Sequence, residues 1–505
     1  MYLSKSKYCK AYQCNKMLWL DTNMPEVGEE INNDSVLDNG TKVGELARKL
    51  FGEDINIEFN TNLNKMIEDT KEVINNNQKC NITEASFNYN NNFCSVDILK
   101  KDNDTYEIYE VKSSTAVDDI YKVDASYQYY VLTKLGYKVT KVCIVYLNNK
   151  YIRKGEIELN KLFNIEDITT IAINNLDTID NKIKEINTYM EQKNIPKDDI
   201  GNQCKKPYEC PYFNYCTRNL DKPNIFDISG MHFTKKIKYY YQGITSLKDL
   251  SKEKLNPKYL EQIDYEINNK EDKIEKEKIK EFLDTLSYPL YFLDFETFQQ
   301  PIPLYDNISP YEQIPFQYSL HYIEDNILKH KEFLAEPNID PRRSLAESLV
   351  KDIPENVTTL AYNMSFEKGV IEKLAKLYPD LSKHLMNIHK NIKDLETPFA
   401  KRQYYTKQMK GRSTIKLVLP ALFPGDPSLD YHNLEGVHNG SEAMNTFANL
   451  GNLSKEEQQI VRNNLLKYCE LDTYAMVKIW DKLNSIVNER SELYGSPNRY
   501  RKLRK

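Results

Sequence analysis

The chain has 505 residues, 28% of them charged and 40% hydrophobic, too much sequence for one ordinary core, so two folded domains and a connector are expected. A net charge of −5 excludes a global basic field: any phosphate-binding groove is a local patch, and the acidic excess can include metal-binding carboxylates. No apolar run approaches the roughly 18–20 residues of a membrane span, and Lys and Cys stand where a signal peptide would carry its apolar stretch, so no membrane partner and a cytoplasmic location are the default expectations.

In the first half, apolar spacing predicts helices over 40–51 and 63–75, then strands over 82–89, 93–99 and 106–111. A helix over 120–135 stopped by Gly136, a strand over 138–147 and a helical stretch over 165–192 follow. Side chains alternate along a strand, so Asp97 shares a face with Phe93 and Ser95, and Glu110 shares one with Lys112. Thirteen residues separate Asp97 from Glu110, room for a hairpin that brings the two acids together, with Lys112 roughly 7 Å further along its strand. Two such carboxylates can hold Mg²⁺ or Mn²⁺, and Lys112 can orient an attacking water and offset developing charge. Taken alone, these residues read as an exposed Asp and a Glu–Lys surface pair.

Their context resembles the PD-(D/E)xK nuclease superfamily, specifically the RecB-like exonucleases related to CRISPR-associated adaptation nucleases, over roughly residues 1–220. The likeness runs through Glu84 in Ile-Thr-Glu-Ala-Ser-Phe, Asp97 in Val-Asp-Ile-Leu and Glu110-Val-Lys112-Ser-Ser. It continues to Asp124 and Gln128 on the following helix. The resemblance implies that Asp97 and Glu110 are metal ligands and that Glu84, Lys112 and Gln128 complete the catalytic set. Two positions depart from the family: Gly40-x3 leads to Gly44 where a His is common, and Gln128-x3 leads to Leu132 where a Tyr is usual.

Nine cysteines, an odd number, argue against a disulfide scaffold, and Cys80, Cys94, Cys143 and Cys469 read as small core residues. Cys204-x5-Cys210-x5-Cys216, with Pro207 and Pro211 between, lacks the Cys-x2–4-Cys pair usual for structural zinc, whereas an iron–sulfur cluster is wider than one ion. RecB-like nucleases of this kind often staple their ends with a [4Fe–4S] cluster held by one early and three late cysteines. The resemblance implies Cys14 as the early ligand, with Cys9 its competitor and Asn15 where the family usually has Pro. Zinc and unligated thiols stay open.

Residues 221–285 read as a helical connector, with Gly243-Ile244 followed by Leu247 and Leu250 a faint helix-hairpin-helix pattern and 268–280 a solvated helix face. A second α/β pattern runs over 286–487. It opens on the apolar strand 288–298, interrupted on one face by Asp294 and Glu296. Near the C-terminus, Val461, Leu465, Tyr468, Asp472, Met476, Ile479 and Leu483 form one helical stripe, so Asp472 sits mid-face with Tyr468 a turn before it. Carboxylates in such places are costly unless paired or metal-bound. His432 and His438, in a Tyr/Asn/Gly-rich loop, read as surface or structural residues.

This half resembles the DEDD 3′–5′ exonucleases of the ribonuclease H-like class, in the subgroup with Tyr-x3-Asp. Asp294-x-Glu296 matches the first motif and Tyr468-Cys-Glu-Leu-Asp472 the third, while Asn363-Met-Ser-Phe-Glu367 carries Glu where the second motif has Asp. The resemblance implies Asp294, Glu296, Glu367 and Asp472 as ligands of two metals and Tyr468 as the group that orients water. The pairing of both halves, with the shared stretch from Pro303 to Tyr318, resembles a bacterial family that fuses the two nuclease types. The basic tail 488–505 either touches nucleic acid or merely solubilises. The expectation is an α/β nuclease with a restriction-endonuclease-like first core and a ribonuclease H-like second core, processing DNA ends more than RNA in repair or defence against foreign DNA. A nucleic-acid-binding scaffold with a weak second site and an RNA-trimming enzyme are the alternatives.

Overall fold

A computed structural model describes residues 2–30 and 34–489 as a mixed α/β protein. The chain divides into two compact units: the first takes the residues up to Leu220 together with Phe233–Lys238 and Gln300–Glu312, and the second takes the rest of the described chain. Among the described residues no helix is long and apolar enough to cross a membrane.

The first unit is built on a seven-stranded mixed sheet. Its strands are β1 (Leu3–Ser4), β2 (Ile55–Asn56), β3 (Lys79–Tyr89), β4 (Asn92–Asp102), β5 (Thr105–Lys112), β6 (Lys138–Leu147) and β7 (Phe163–Asp167). Strands β2 to β7 lie in sequence order, and β1 pairs parallel with β4. One edge of β4 is covered by β3 along its whole length; on the other, β5 pairs only from Ile98 onward and β1 docks at Asn92 and Phe93. The sheet therefore forks beside residues 94–97, and the chain leaves β1 at that fork to begin α1 (Lys5–Gln13), capped by Ser4 Oγ accepting from Lys7 N at 3.3 Å. The helices α2 (Asn15–Asn23), α3 (Asp34–Arg48), α4 (Leu63–Asn76) and α5 (Asp119–Lys134) complete the frame of the site. Helix α5 buries residues all round, Val123, Ala125, Tyr127, Val131 and Leu132 among them, as a helix enclosed on several sides must. It ends where expected, at Gly136 with φ +89° and Tyr137 N donating back to Leu132 O at 3.1 Å.

The stretch 165–192 is not helical throughout: β7 continues to Asp167, and two helices follow at Thr169–Asn174 and Leu176–Met190. Ile165 pairs with Val145, so the sheet edge claims an apolar residue that helical periodicity had also accommodated. Nor is 268–280 one helix face. The helix Pro257–Asn268 stops at Asn269 in the left-handed region, a two-residue strand β8 (Lys273–Ile274) intervenes, and the next helix is Lys276–Leu283. In the weak hairpin pattern, Gly243 takes φ +79° and a single helical turn, Leu247–Leu250, follows.

The second unit holds a five-stranded sheet of β9 (Leu290–Phe298), β10 (Ile314–Glu324), β11 (Ile327–Leu334), β12 (Thr358–Ala361) and β13 (Ile392–Asp394), in the order β11-β10-β9-β12-β13. The pairs among β9, β10 and β11 are antiparallel and those through β12 parallel, while β14 (Tyr404–Tyr405) pairs with β8. Period two splits β9 between two cores. Tyr291, Leu293 and Phe295 pack with the helices Arg342–Asp352, Ser365–Leu377 and Pro379–Asn391, whereas Leu290 and Phe292 pack on the opposite face with Met476, Ile479 and Trp480 of the last helix, Lys455–Asn488. Asp294 and Glu296 continue that second row, beneath the last helix. This helix runs 34 residues behind a capping box of Ser454 and Glu457. Of its predicted stripe, Leu465, Tyr468, Met476, Ile479 and Leu483 are buried, with Asp472 partly buried among them. The tail from residue 490 lies outside the described residues.

Candidate active sites

In the first unit, Asp97, Glu110, Lys112, Asp124 and Gln128 meet where the sheet forks. Asp97 Oδ2 accepts from Val111 N at 2.7 Å, which ties the acid on β4 to the strand carrying Glu110 and Lys112. Lys112 Nζ lies 2.7 Å from both Glu110 Oε1 and Asp124 Oδ2, and Gln128 Nε2 donates to Glu110 Oε2 at 2.7 Å. Gln128 Oε1 is buried without a hydrogen-bond partner. Burial, with Asp124 and Asp97 adding to it, raises Glu110 to about 7. Burial works against the charge on Lys112, but Asp124 and Glu110 outweigh it and hold the ammonium well protonated; the two lysines in turn hold Asp124 low. Glu84 stands where β3 faces Asp97, in the left-handed region at φ +58°, and its carboxylate accepts from Arg48 Nη2 of α3 at 2.9 Å. A non-glycine residue held there is strained, a feature that clusters at functional sites. A cavity of about 610 Å³ opens onto the group, lined by Lys5, Cys9, Lys112, Tyr121, Asp124 and Tyr208 among others.

Two of these neighbours were not expected from sequence. Lys5, the first residue of α1, places Nζ 3.1 and 3.2 Å from the two Glu110 oxygens and 3.6 Å from Asp97 Oδ1. Neither the two-residue strand before it nor its pairing with β4 leaves any periodic signal. Arg48 lies on a helix whose span was expected, but its partner Glu84 is far off in sequence.

In the second unit, Asp294, Glu296 and Asp472 bring ligand oxygens within 4.8 Å of one another. This is one of two such groups among the described residues, the other being His330, Glu332 and Glu470 on β11 and the last helix. Burial pushes Asp294 and Glu296 well above the carboxylate range, with Asp472 the next cause for both, and burial raises Asp472 to about 6. Hydrogen bonds from Tyr431 and Tyr468 and the nearby Lys416 pull Asp472 the other way, the Tyr431 hydroxyl donating to Oδ1 at 2.6 Å. Glu367, in the first turn of Ser365–Leu377, lies outside the trio yet near enough to raise Asp294 and Glu296; it is buried, its Oε2 has no hydrogen-bond partner, and burial lifts it to about 8.

Cys469 is buried as expected, but its thiol lies 3.8 Å from Asp294 Oδ2. Gly440 heads the helix Gly440–Asn449 against Glu296, where an added Cβ would come 3.7 Å from Oε2. Beside Asp472, Tyr431 and Lys416 line a cavity of about 830 Å³. His432 and His438 also line it, bonded to Asp430 and Glu442. Tyr431 escaped the sequence reading because a Tyr/Asn/Gly-rich loop reads as surface, and Lys416 because a lysine on the short helix Ile415–Leu422 reads as its solvated face. The donor set fits divalent cations: acids this crowded and buried need positive charge, and Glu367 Oε2 is an acceptor with no partner.

Among the cysteines, Cys14 joins the late three. Cys14, Cys210 and Cys216 pack with Met17, Trp19 and Tyr212, while Cys210 N donates to Cys204 O at 3.0 Å and folds the loop back. Burial pushes up all four thiols, Cys210 to about 11 and Cys216 to about 12, and Cys204, Cys210 and Cys216 each feel others of the four. Cys9 instead faces Asp124, Lys112 and Glu110. Among the described residues no three of these sulfurs come within the 4.8 Å reach of a single ion.

The family model described as "Domain of unknown function (DUF2779)" matches residues 291–414. That span holds Asp294, Glu296 and Glu367 but not Tyr468 or Asp472. The chain is 26% identical over 407 residues to Uncharacterized protein MG366 of Mycoplasma genitalium, covering 69% of this chain and 60% of that protein. To the Uncharacterized protein MG366 homolog of Mycoplasma pneumoniae it is 28% identical over 221 residues, 40% of this chain and 33% of that one. The match thus spans less than two thirds of either relative. No solved structure matches.

The crowded acids of the second unit set a pH dependence. Burial raises Asp472 to about 6 and Glu367 to about 8, so between about pH 4 and 8 these two groups hold protons in the folded state that they have lost in the unfolded chain. Stability of the metal-free protein therefore falls as pH rises through that window, by several kcal/mol. Thermal unfolding in chelator should occur several degrees lower at pH 8 than at pH 5. Asp472→Asn should shrink the difference; a wild-type difference of zero would show that these acids are not strained by burial.

Proposed function

We propose that the chain is a metal-dependent nuclease that hydrolyses phosphodiester bonds at nucleic-acid ends, DNA in preference to RNA, with one active site in each unit. The observation that carries this reading is the trio Asp294, Glu296 and Asp472, closed by a tyrosine one helical turn from Asp472. On this reading the first unit is a RecB-like PD-(D/E)xK core and the second a DEDD-type ribonuclease H-like core.

Bound Mg²⁺ or Mn²⁺ polarises a phosphoryl oxygen and acidifies water. Asp294, Glu296 and Asp472 would hold it in the second unit, with Glu367 close by as a further ligand, and Asp97 and Glu110 would hold it in the first. Tyr431 fixes the rotamer of Asp472 by occupying Oδ1, and Tyr468, hydrogen-bonded to Asp472, orients the attacking water. Lys416 attracts the substrate's phosphate from the cavity wall. In the first unit Lys112 sits between Glu110 and Asp124, 2.7 Å from each, and both favour its charged form. It positions water and stabilises charge on the phosphate, while Gln128 and Asp124 keep Glu110 and Lys112 in register.

A second reading, a nucleic-acid-binding scaffold with a weak second site, draws on one observation: Glu367 stands where the DEDD pattern has Asp, and it lies outside the trio of Asp294, Glu296 and Asp472. The test is Mn²⁺- or Mg²⁺-dependent cleavage of end-labelled single- and double-stranded DNA and RNA. Wild type should cut and the Lys112→Ala/Asp472→Ala double variant should not. Cleavage by neither, with any metal, would overturn the nuclease reading, and equal cutting of RNA would favour the RNA-trimming alternative.

On this reading Cys14, Cys204, Cys210 and Cys216 would hold a [4Fe–4S] cluster, which is wider than one ion and suits the long spacing of the three late cysteines in sequence. Joining Cys14 to Cys204 closes a loop of about 190 residues, so the cluster's role is structural. Anaerobically purified protein should be brown, and Cys210→Ala should lose the colour and melt about 5–10 °C lower. A colourless wild type containing stoichiometric zinc would refute the cluster.

A further inference from the structure

We propose that Lys5 gates divalent-cation entry to the first site: its ammonium occupies the position between Asp97 and Glu110, and an ion binds only by displacing it. This rests on the reading that Asp97 and Glu110 are metal ligands. Lys5 Nζ is 3.1 and 3.2 Å from the Glu110 oxygens and 3.6 Å from Asp97 Oδ1, so one cation already bridges the two acids.

The fold puts it there. The sheet forks at residues 94–97, β1 docks on Asn92 and Phe93, and Lys5 is the next residue after the strand. Its backbone is fixed: the Tyr127 hydroxyl donates to Leu3 O at 2.8 Å, and the Tyr8 ring stacks on that of Tyr127 at 4.5 Å. Among the described residues its side chain is held by Glu110 and Asp97 alone and has space beside it, because Lys5 is 26% exposed and lines the cavity of about 610 Å³ that opens onto the site. A lysine stem can swing into that space while its Cα stays still.

Charge decides between the two positions. The site holds three carboxylates, Asp97, Glu110 and Asp124, against two ammonium groups, Lys5 and Lys112, with Glu84 paired to Arg48. Adding a divalent ion while both lysines remain leaves an excess positive charge in a partly buried site. Moving Lys5 out into the cavity leaves three carboxylates balanced by Lys112 and the ion. Lys112 cannot be the one to leave, since Asp124 and Glu110 grip it from both sides at 2.7 Å. Once displaced, the Lys5 ammonium faces the space a substrate phosphate would fill.

The test is Mn²⁺ affinity of the full-length chain carrying Asp294→Asn and Asp472→Asn, which silence the second site. Titration is followed by the electron paramagnetic resonance of free Mn²⁺. Lys5→Gln should tighten binding roughly tenfold, because no cation competes. Lys5→Arg should bind as the unaltered Lys5 chain does. Unchanged or weaker binding in Lys5→Gln overturns the gate. If binding is absent, or present but indifferent to Glu110→Gln, the metal-ligand reading fails and the gate with it, a result separable from the first. Should Lys5→Gln not fold, wild-type protein serves: amine labelling read by mass spectrometry should show Lys5 more reactive with Mn²⁺ than without. Equal reactivity overturns the proposal.

Discussion

Asp472→Asn is expected to lower cleavage by the second unit about a thousandfold while raising the stability of the metal-free protein. The two effects share one cause. Asp472 enters the face of the last helix that packs on β9, opposite Asp294 and Glu296, where ionised acids repel one another and burial penalises each. Asn keeps the volume and still accepts the Tyr431 hydrogen bond, so the fold should lose little. What is lost is the negative charge that a cation needs, and the strain of keeping it. Measured in a Lys112→Ala background, the rate should fall by three orders of magnitude, while the melting temperature at pH 8 rises by a few degrees. A variant that loses both activity and stability would mean that Asp472 is a structural residue and that no metal is held there. A variant that keeps its rate would hand the chemistry to other residues.

Why was so much of this site legible in the sequence? Asp294 and Glu296 interrupt an apolar strand, and Asp472 interrupts an apolar helical stripe; both violate the rule that charges avoid cores, and the violations coincide in space. Lys5, Arg48 and Tyr431 violate nothing where they stand in sequence. Lys5 matters because β1 docks at a fork in the sheet, and Tyr431 because a polar loop lies against the last helix. Such contacts are set by topology and leave no local pattern. The same holds for residues 300–312, which follow β9 in sequence yet belong to the first unit: Tyr311 donates to Ser113 O at 2.5 Å, and Arg153 reaches Pro303 O and Leu304 O at 2.9 and 2.8 Å. Periodicity reports which face of an element is buried and says nothing of which neighbour buries it. For β7 even the element type was ambiguous, because one apolar Ile165 fits either period.

Lys112→Ala should abolish first-site cleavage, by about a thousandfold when measured in an Asp472→Asn background, and here activity and stability should fall together. Lys112 is the ammonium that Glu110 and Asp124 share at 2.7 Å each, so its removal leaves two buried carboxylates facing one another with Lys5 alone to balance them. Asp124 owes its low value to those lysines; a depressed carboxylate stabilises the folded state above its unfolded value and loses that contribution as pH falls. Removing Lys112 should therefore destabilise by roughly 3 kcal/mol at pH 8 and by less at pH 5, where Glu110, already near 7, carries a proton. Lys112→Arg should not rescue the rate, since a planar guanidinium cannot sit as a point charge between two acids that close on it. Adding Glu110→Gln to Lys112→Ala should recover part of the stability at pH 8 and none of the activity. If Lys112→Ala kept a tenth or more of the wild-type rate, its ammonium would be no more than a strut, and the attacking water would have to be oriented from elsewhere in the cavity.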